Sequence, residues 1–297
     1  MEALGRELDR HDRLVLLGDT VEMYEAHPEH SLRVAEPVLR ELAERLGPDK
    51  ELLLVAGNHD HELVREWATA QGAGLQLEGV VPADASEPLA RVCSYLEATK
   101  VTVHYPGVWL APNVWATHGH YLTNYLKPMA TLGLHLKRRA APQHVKVATL
   151  EHPSPTYEHM HDGLPPQRWI DRHIPGRLAP LSSRLLAHQM MSHALPAFGA
   201  SVEALGVEAE WVVFGHVHRR GPREHDDPRR WQVAASGPRL LNTGSWRYEP
   251  VVARGMDGRS NYWPGGAVSI DEDGVPRSVG LLDALTEAEL LADDLGA

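Results

Sequence analysis

One pattern recurs along this chain and limits what it can fold into: a short aliphatic run ends in a tight turn and then delivers a polar, ligand-type side chain. Leu14-Val15-Leu16-Leu17 runs into Gly18-Asp19, and Leu52-Leu53-Leu54-Val55-Ala56 into Gly57-Asn58-His59-Asp60. Asn113-Val114-Trp115-Ala116-Thr117 runs into His118-Gly119-His120, and Trp211-Val212-Val213-Phe214 into Gly215-His216-Val217-His218. Such runs fit strands of a sheet covered by helices, with the Leu14 strand buried on both faces. Gly18 lets the backbone turn sharply, so Asp19 is expected at the strand's carboxyl end, where layered α/β folds place their sites. The set Asp, Asn-His, His and His-x-His offers oxygens and imidazoles, which suit first-row divalent metals.

The intervening segments supply the helices. Met1 to Arg10 reads as a short helix, with Leu4 and Leu8 on one face. Glu29 to Leu46 places Leu32, Val34, Ala35, Val38, Leu39, Leu42 and Leu46 at helical spacing, with Ser31 as a cap near its start and Gly47-Pro48 as its stop. Strand, helix, strand makes a βαβ unit, so the Leu14 and Leu52 strands are expected to run parallel, with their motif ends on one edge. Further helices are expected over Glu62 to Gln71 and Ser86 to Thr99, then one strand over Val101 to Leu110 and another over Val114 to Thr117. His104 alternates with Val101 and Val103 and reads as structural. Residues 121–200 depart from a simple sheet: Tyr121 to Leu136 carry an apolar helical face, followed by Lys137-Arg138-Arg139 and a segment rich in Pro and His. This reads as an insertion or cap on a single domain spanning 1–297, with a cap helix packed on its own domain preferred over a membrane or lipid contact through 121–139. Ser182 to Phe198 adds a helix, Leu240 to Thr243, Gly266 to Ile270 and Arg277 to Leu282 add strands, and Thr286-Glu287-Ala288-Glu289 fits a capping box.

In their order and spelling, Gly18 to Glu22, Gly57 to Asp60, His118-Gly119 and Gly215 to His218 resemble the calcineurin-like metallophosphoesterases, whose pattern is D-x-H, G-D-x-x-[D/E], G-N-H-[D/E], a His usually followed by Gly, and G-H-x-H. Asn242 to Trp246 resembles the strand that often follows the last motif, so the likeness spans most of residues 12–250. It implies an α/β fold, a layered β-sandwich flanked by helices, and hydrolysis of a phosphomonoester, phosphodiester or pyrophosphate bond by metal-activated water. It also implies two divalent ions (Mn, Fe or Zn): Asp19 bridges them, Asn58, His118 and His216 complete one, and His218 joins Asp19 on the other. A carboxylate can bridge two ions about 4 Å apart, which an imidazole normally cannot. His59 would approach the phosphate and the leaving oxygen, as general acid or as a positive stabiliser, with Asp60 on its other ring nitrogen. Glu22 is placed behind the ligands, and His120 against substrate. In relatives that cleave the pyrophosphate of a lipid precursor, a comparable insertion holds acyl chains.

The family's first element is not matched. Asp9-Arg10-His11 has its letters but follows helical residues only ten positions before Asp19, and reads as a solvated helix end. The expectation is an upstream strand ending in Asp-x-His about 15 to 30 residues before Leu14, one connecting helix away. Singly, Asp19 could cap a helix, Asn58 shape a turn and His118 be a satisfied buried imidazole. Other classes are a non-catalytic scaffold of the same fold, or a metal-binding protein with an incomplete dinuclear site. A nuclease is disfavoured, because a net charge of −11 in 297 residues provides no broad basic face, and no nucleic-acid partner is expected. An amidohydrolase would present His-x-His first and Asp last. Cys93 is the only cysteine, so neither a disulfide framework nor a thiolate site is available, and the absence of any apolar run of about 18 residues points to a cytoplasmic protein acting on a small phosphate-containing substrate.

Overall fold

The computed structural model describes residues 2–120 and 178–292. They fall into two compact units, one of 2–120 with 204–216 and one of 178–203 with 217–292. No helix among the described residues is long and apolar enough to cross a membrane.

In the first unit, α1 (Glu2–Leu8) turns Leu8 into the core and leads to β1 (Arg13–Leu17), followed by α2 (Pro28–Leu46) and β2 (Glu51–Val55). A short 3-10 turn (His61–Leu63) and α3 (Arg65–Gln71) precede β3 (Gly79–Val81), α4 (Glu87–Tyr95) and β4 (Lys100–Tyr105). These strands form one sheet in the order β1-β2-β4-β3, with β1, β2 and β4 parallel and β3 antiparallel. The expected βαβ unit is therefore present, with Leu14 opposite Leu52 and Leu17 opposite Val55. The burial differs from expectation in an instructive way. Leu52 to Val55 are buried, whereas Leu14 to Leu17 are only half-buried, because β1 occupies the edge of the sheet and β2 its interior.

Helix α2 shows a similar correction. Leu32, Leu39, Leu42, Ala43 and Leu46 face the core, but Val34 and Val38 point to solvent. Ser31 does not cap the helix, which starts at Pro28; its hydroxyl donates to the Glu22 carbonyl. Ser86 does cap α4, accepting the Leu89 amide at 3.1 Å. The expected single strand over Val101 to Leu110 is broken at Pro106, which has no amide to extend a ladder. After it β5 (Gly107–Ala111) pairs antiparallel with β6 (Val114–Thr117), and β6 pairs parallel with β7 (Trp211–Phe214). Trp115 is buried here and its indole N–H donates to the Leu77 carbonyl at 3.2 Å.

The apolar face expected over Tyr121 to Leu136 lies outside the described residues. In the second unit, α5 (Ala179–Gln189) passes through one wide π-type turn (Met190–Ala194) into α6 (Leu195–Ala204). Pro196, which has no amide to give the Ser192 carbonyl, is the second residue after that wide turn. Strand β8 (Arg239–Asn242) and the single turn α7 (Pro250–Ala253) precede an antiparallel pair, β9 (Gly266–Ile270) with β10 (Pro276–Gly280). The final α8 (Glu287–Ala292) opens on the expected capping box: the Glu289 amide reaches the Thr286 hydroxyl, and the Glu289 carboxylate returns to the Thr286 amide at 2.8 Å. Buried arginines organise this unit. Arg219 forks onto Asp226 at 2.6 and 3.1 Å under the Trp231 ring, and Arg220 meets Asp283 at 2.6 Å.

Candidate metal centre

Asp19 leaves β1 through two consecutive left-handed residues, Gly18 at φ 87° and Asp19 itself at φ 54°. Gly18 is required twice over, since a Cβ there would lie 2.2 Å from the His118 Nδ1. Gly57, at the end of β2, is required because its Cβ would lie 2.3 Å from the Asp19 Oδ1. The two glycines let the carboxyl end of β1 and the Gly57 turn approach the His118 ring closely.

His118 follows β6 directly and is buried. Its Nδ1 donates to the Leu17 carbonyl at 2.9 Å, which leaves Nε2 as the ring's lone-pair nitrogen when the imidazole is neutral. That Nε2 lies 3.2 Å from the Asp19 Oδ2 and 3.2 Å from the Asn58 Oδ1, and the His216 Nδ1 lies 3.0 Å from the same Asn58 oxygen. Asp19, His118 and His216 place one donor atom each within 4.8 Å of one another. Asn58 is buried with Oδ1 turned into this cluster, while its Nδ2 has no hydrogen-bond partner among the described residues. That orientation is sensible where the carbonyl oxygen serves a cation.

The donor set fits a divalent ion. A carboxylate, an amide carbonyl and two imidazoles suit a borderline or hard metal. Donors about 2.1 Å from an ion and at right angles to each other lie about 3.0 Å apart, close to the spacings seen. Among the described residues four non-glycines have positive φ, and three of them are Asp19, His216 and His218. Such backbone is costly and gathers where function demands it. Burial alone would push the Asp19 carboxyl up, but the charges and hydrogen bonds of His118 and His59 outweigh it and hold the group far below the usual range. Conversely, burial pushes His118 down, and Asp19 more than restores it.

His59 stands at the edge of this cluster. Its backbone amide donates to the Asp19 Oδ1 at 2.9 Å, and its Nδ1 meets the Glu22 Oε2 at 2.7 Å. Burial lowers the His59 pKa, but the Glu22 hydrogen bond and the Asp19 charge raise it above the ordinary imidazole value. Glu22 is itself fixed by the amides of Tyr24 and Glu25 at 2.9 and 2.8 Å.

Asp60 was expected on the His59 ring, and the structure places it elsewhere. The chain turns between the two residues, so Asp60 points inward, fully buried, and accepts from the backbone amides of Gly57, Asp19, Thr20 and Val21. Burial and the Asp19 charge push its carboxyl up to about 6, against those amides. His120, expected to touch substrate, is buried among His61, Tyr105 and His118, and burial beside those imidazoles holds its pKa low. His104 meets Glu78 at 3.0 Å, and His11, beyond the end of α1, meets Glu7 at 3.2 Å.

His218 belongs to the second unit. There its Nδ1 meets the Glu249 carboxylate; burial would raise that carboxyl, but the His218 charge and hydrogen bond hold it below its usual value. Glu249 escaped sequence reasoning because it lies outside every motif, 31 positions beyond His218. No family model, curated protein or solved structure matches this chain.

Proposed function

We propose that this chain is a metal-dependent phosphohydrolase of the metallophosphoesterase type, with a layered sandwich fold, acting in the cytoplasm on a small phosphate-containing substrate. The observation that supports it most is the convergence of Asp19 Oδ2, Asn58 Oδ1, His118 Nε2 and His216 Nδ1, at 3.0 to 3.2 Å for the closest pairs, on a backbone strained at Asp19 and His216. A bound divalent ion there supplies Lewis-acid stabilisation of phosphoryl oxygens and a water of lowered pKa. The rest of the chemistry belongs to the chain. Asp19 and Asn58 contribute oxygens, His118 and His216 nitrogens, and the Leu17 carbonyl fixes the His118 tautomer.

His59 is the proton donor. Glu22 accepts from Nδ1, so in the protonated ring it is Nε2 that would hold out the proton the leaving oxygen requires; burial disfavours that charged form, but the Glu22 hydrogen bond and the Asp19 charge outweigh it and raise the ring's pKa. The role of Glu22 is thus orientation and charge, the role expected of Asp60.

The test is hydrolysis of p-nitrophenyl phosphate and its bis ester by the full chain. Manganese is expected to stimulate turnover, chelation to stop it, and Asp19→Ala or Asn58→Ala to abolish it. Activity that survives chelation and both substitutions would falsify the reading.

A further inference from the structure

The buried Asp60 carboxylate makes no contact that hydrolysis as described requires, yet its bonding is concentrated on one short stretch. Oδ2 accepts the Thr20 amide at 2.7 Å and the Val21 amide at 3.4 Å, and Oδ1 accepts the Gly57 amide at 2.6 Å and the Asp19 amide at 3.3 Å. Three of the four amides belong to consecutive residues, beginning with Asp19. Gathering them on one acid forces the chain to curl around it, and at that curl Asp19 takes φ 54°. The fourth amide, from Gly57, ties in the turn that carries Asn58. Without an acceptor, four backbone donors, those of Val21 and Gly57 buried, would have no reason to converge, and an L-residue at positive φ would relax toward the extended region.

We infer that Asp60 is a positioning residue, the clasp that holds Asp19 and Asn58 in ligating register through their backbones. This rests on the metal reading above and deepens it. Only an ionised acid suits the place: both of its oxygens accept, whereas an amide of the same shape would turn one NH2 group against backbone N–H donors. A side chain with only a packing role would be replaced by Asn with modest consequence.

The experiment compares wild type, Asp60→Asn and, as a control, Leu89→Ala, which opens the core at the fully buried Leu89 on α4. Manganese binding is measured by equilibrium dialysis, and thermal melting is followed in chelator, where no metal contributes. Both variants are expected to melt lower than wild type. Only Asp60→Asn is expected to lose manganese affinity, by about 10- to 100-fold, the usual loss when a group supporting a ligand is removed. Equal affinity in Asp60→Asn and wild type overturns the proposal while leaving the metal reading standing, and so does an equal loss in Leu89→Ala. Wild type that binds no manganese overturns both. Should Asp60→Asn fail to fold, hydrogen exchange on wild type decides: the Thr20 and Gly57 amides are expected among the slowest in the first unit, and fast exchange at either one overturns the clasp.

Discussion

At the scale of single residues, the candidate site depends on two positions where a methyl group cannot be tolerated. Gly57→Ala puts a Cβ 2.3 Å from the Asp19 carboxylate, 2.7 Å from the Asp19 backbone nitrogen and 2.9 Å from the His118 ring, so Asp19 must shift with its backbone. Manganese affinity is expected to drop by at least about 10-fold, read by dialysis, because Asp19 is displaced from His118 and Asn58. Gly18→Ala adds left-handed backbone strain of about 1 to 2 kcal/mol to a clash with the His118 ring, so it is expected to lower the melting temperature as well. Glu22→Gln is expected to reduce kcat on the aryl phosphate with KM held, since the Glu22 carboxylate holds the His59 ring. The ligand-type residues were legible in the sequence because each follows an apolar run. The division of labour between Glu22 and Asp60 was not. A motif records which residues recur, but the turn between His59 and Asp60 decides which carboxylate meets the ring and which turns inward to the amides.

Among the elements, sequence periodicity located the helices and strands closely but could not say which strand lies at an edge. Leu14 to Leu17 are as aliphatic as Leu52 to Val55, yet among the described residues β1 has one neighbouring strand where β2 has two. Likewise Val34 and Val38 satisfy the helical spacing of α2 but sit on its solvent side, and Pro106 ends a strand that apolar content alone would have continued. The caps were more informative, because their chemistry is local. Ser86→Ala is expected to cost about 1 kcal/mol in urea unfolding, since it removes the α4 cap and the bond to the Leu63 carbonyl together. In the second unit, Arg219 and Asp226 have side chains only 3% and 7% exposed, so removing one charge strands the other. Asp226→Asn is expected to destabilise by about 3 kcal/mol at neutral pH. Burial raises the Asp226 carboxyl but its Arg219 bonds depress it further, below the ordinary 3.8. A depressed acid stabilises the fold above its unfolded pKa and loses that contribution as pH falls through its folded value. The gap between wild type and Asp226→Asn is therefore expected to be constant near pH 7 and to narrow only below about pH 4.

For the whole molecule, the question is how many ions the chain holds. Asp19, Asn58, His118 and His216 all belong to the first unit, and on the proposed metal reading they would offer one ion four protein donors. His218 belongs to the second unit and is engaged there with Glu249. Manganese titration of the full chain is therefore expected to saturate near one ion per chain. His216→Ala is expected to abolish that ion, because it removes a donor that meets Asn58 at 3.0 Å, while His218→Ala leaves most of it in place. Turnover separates from binding at this scale. In-line attack on a phosphate ester normally recruits two ions, one for the nucleophile and one for the charge on the transferred group. A chain that binds one manganese and hydrolyses aryl phosphate slowly would fit this arrangement. Two tightly held ions per chain, measured after exhaustive dialysis, would show that further donors complete a second site and that the one-ion expectation is wrong.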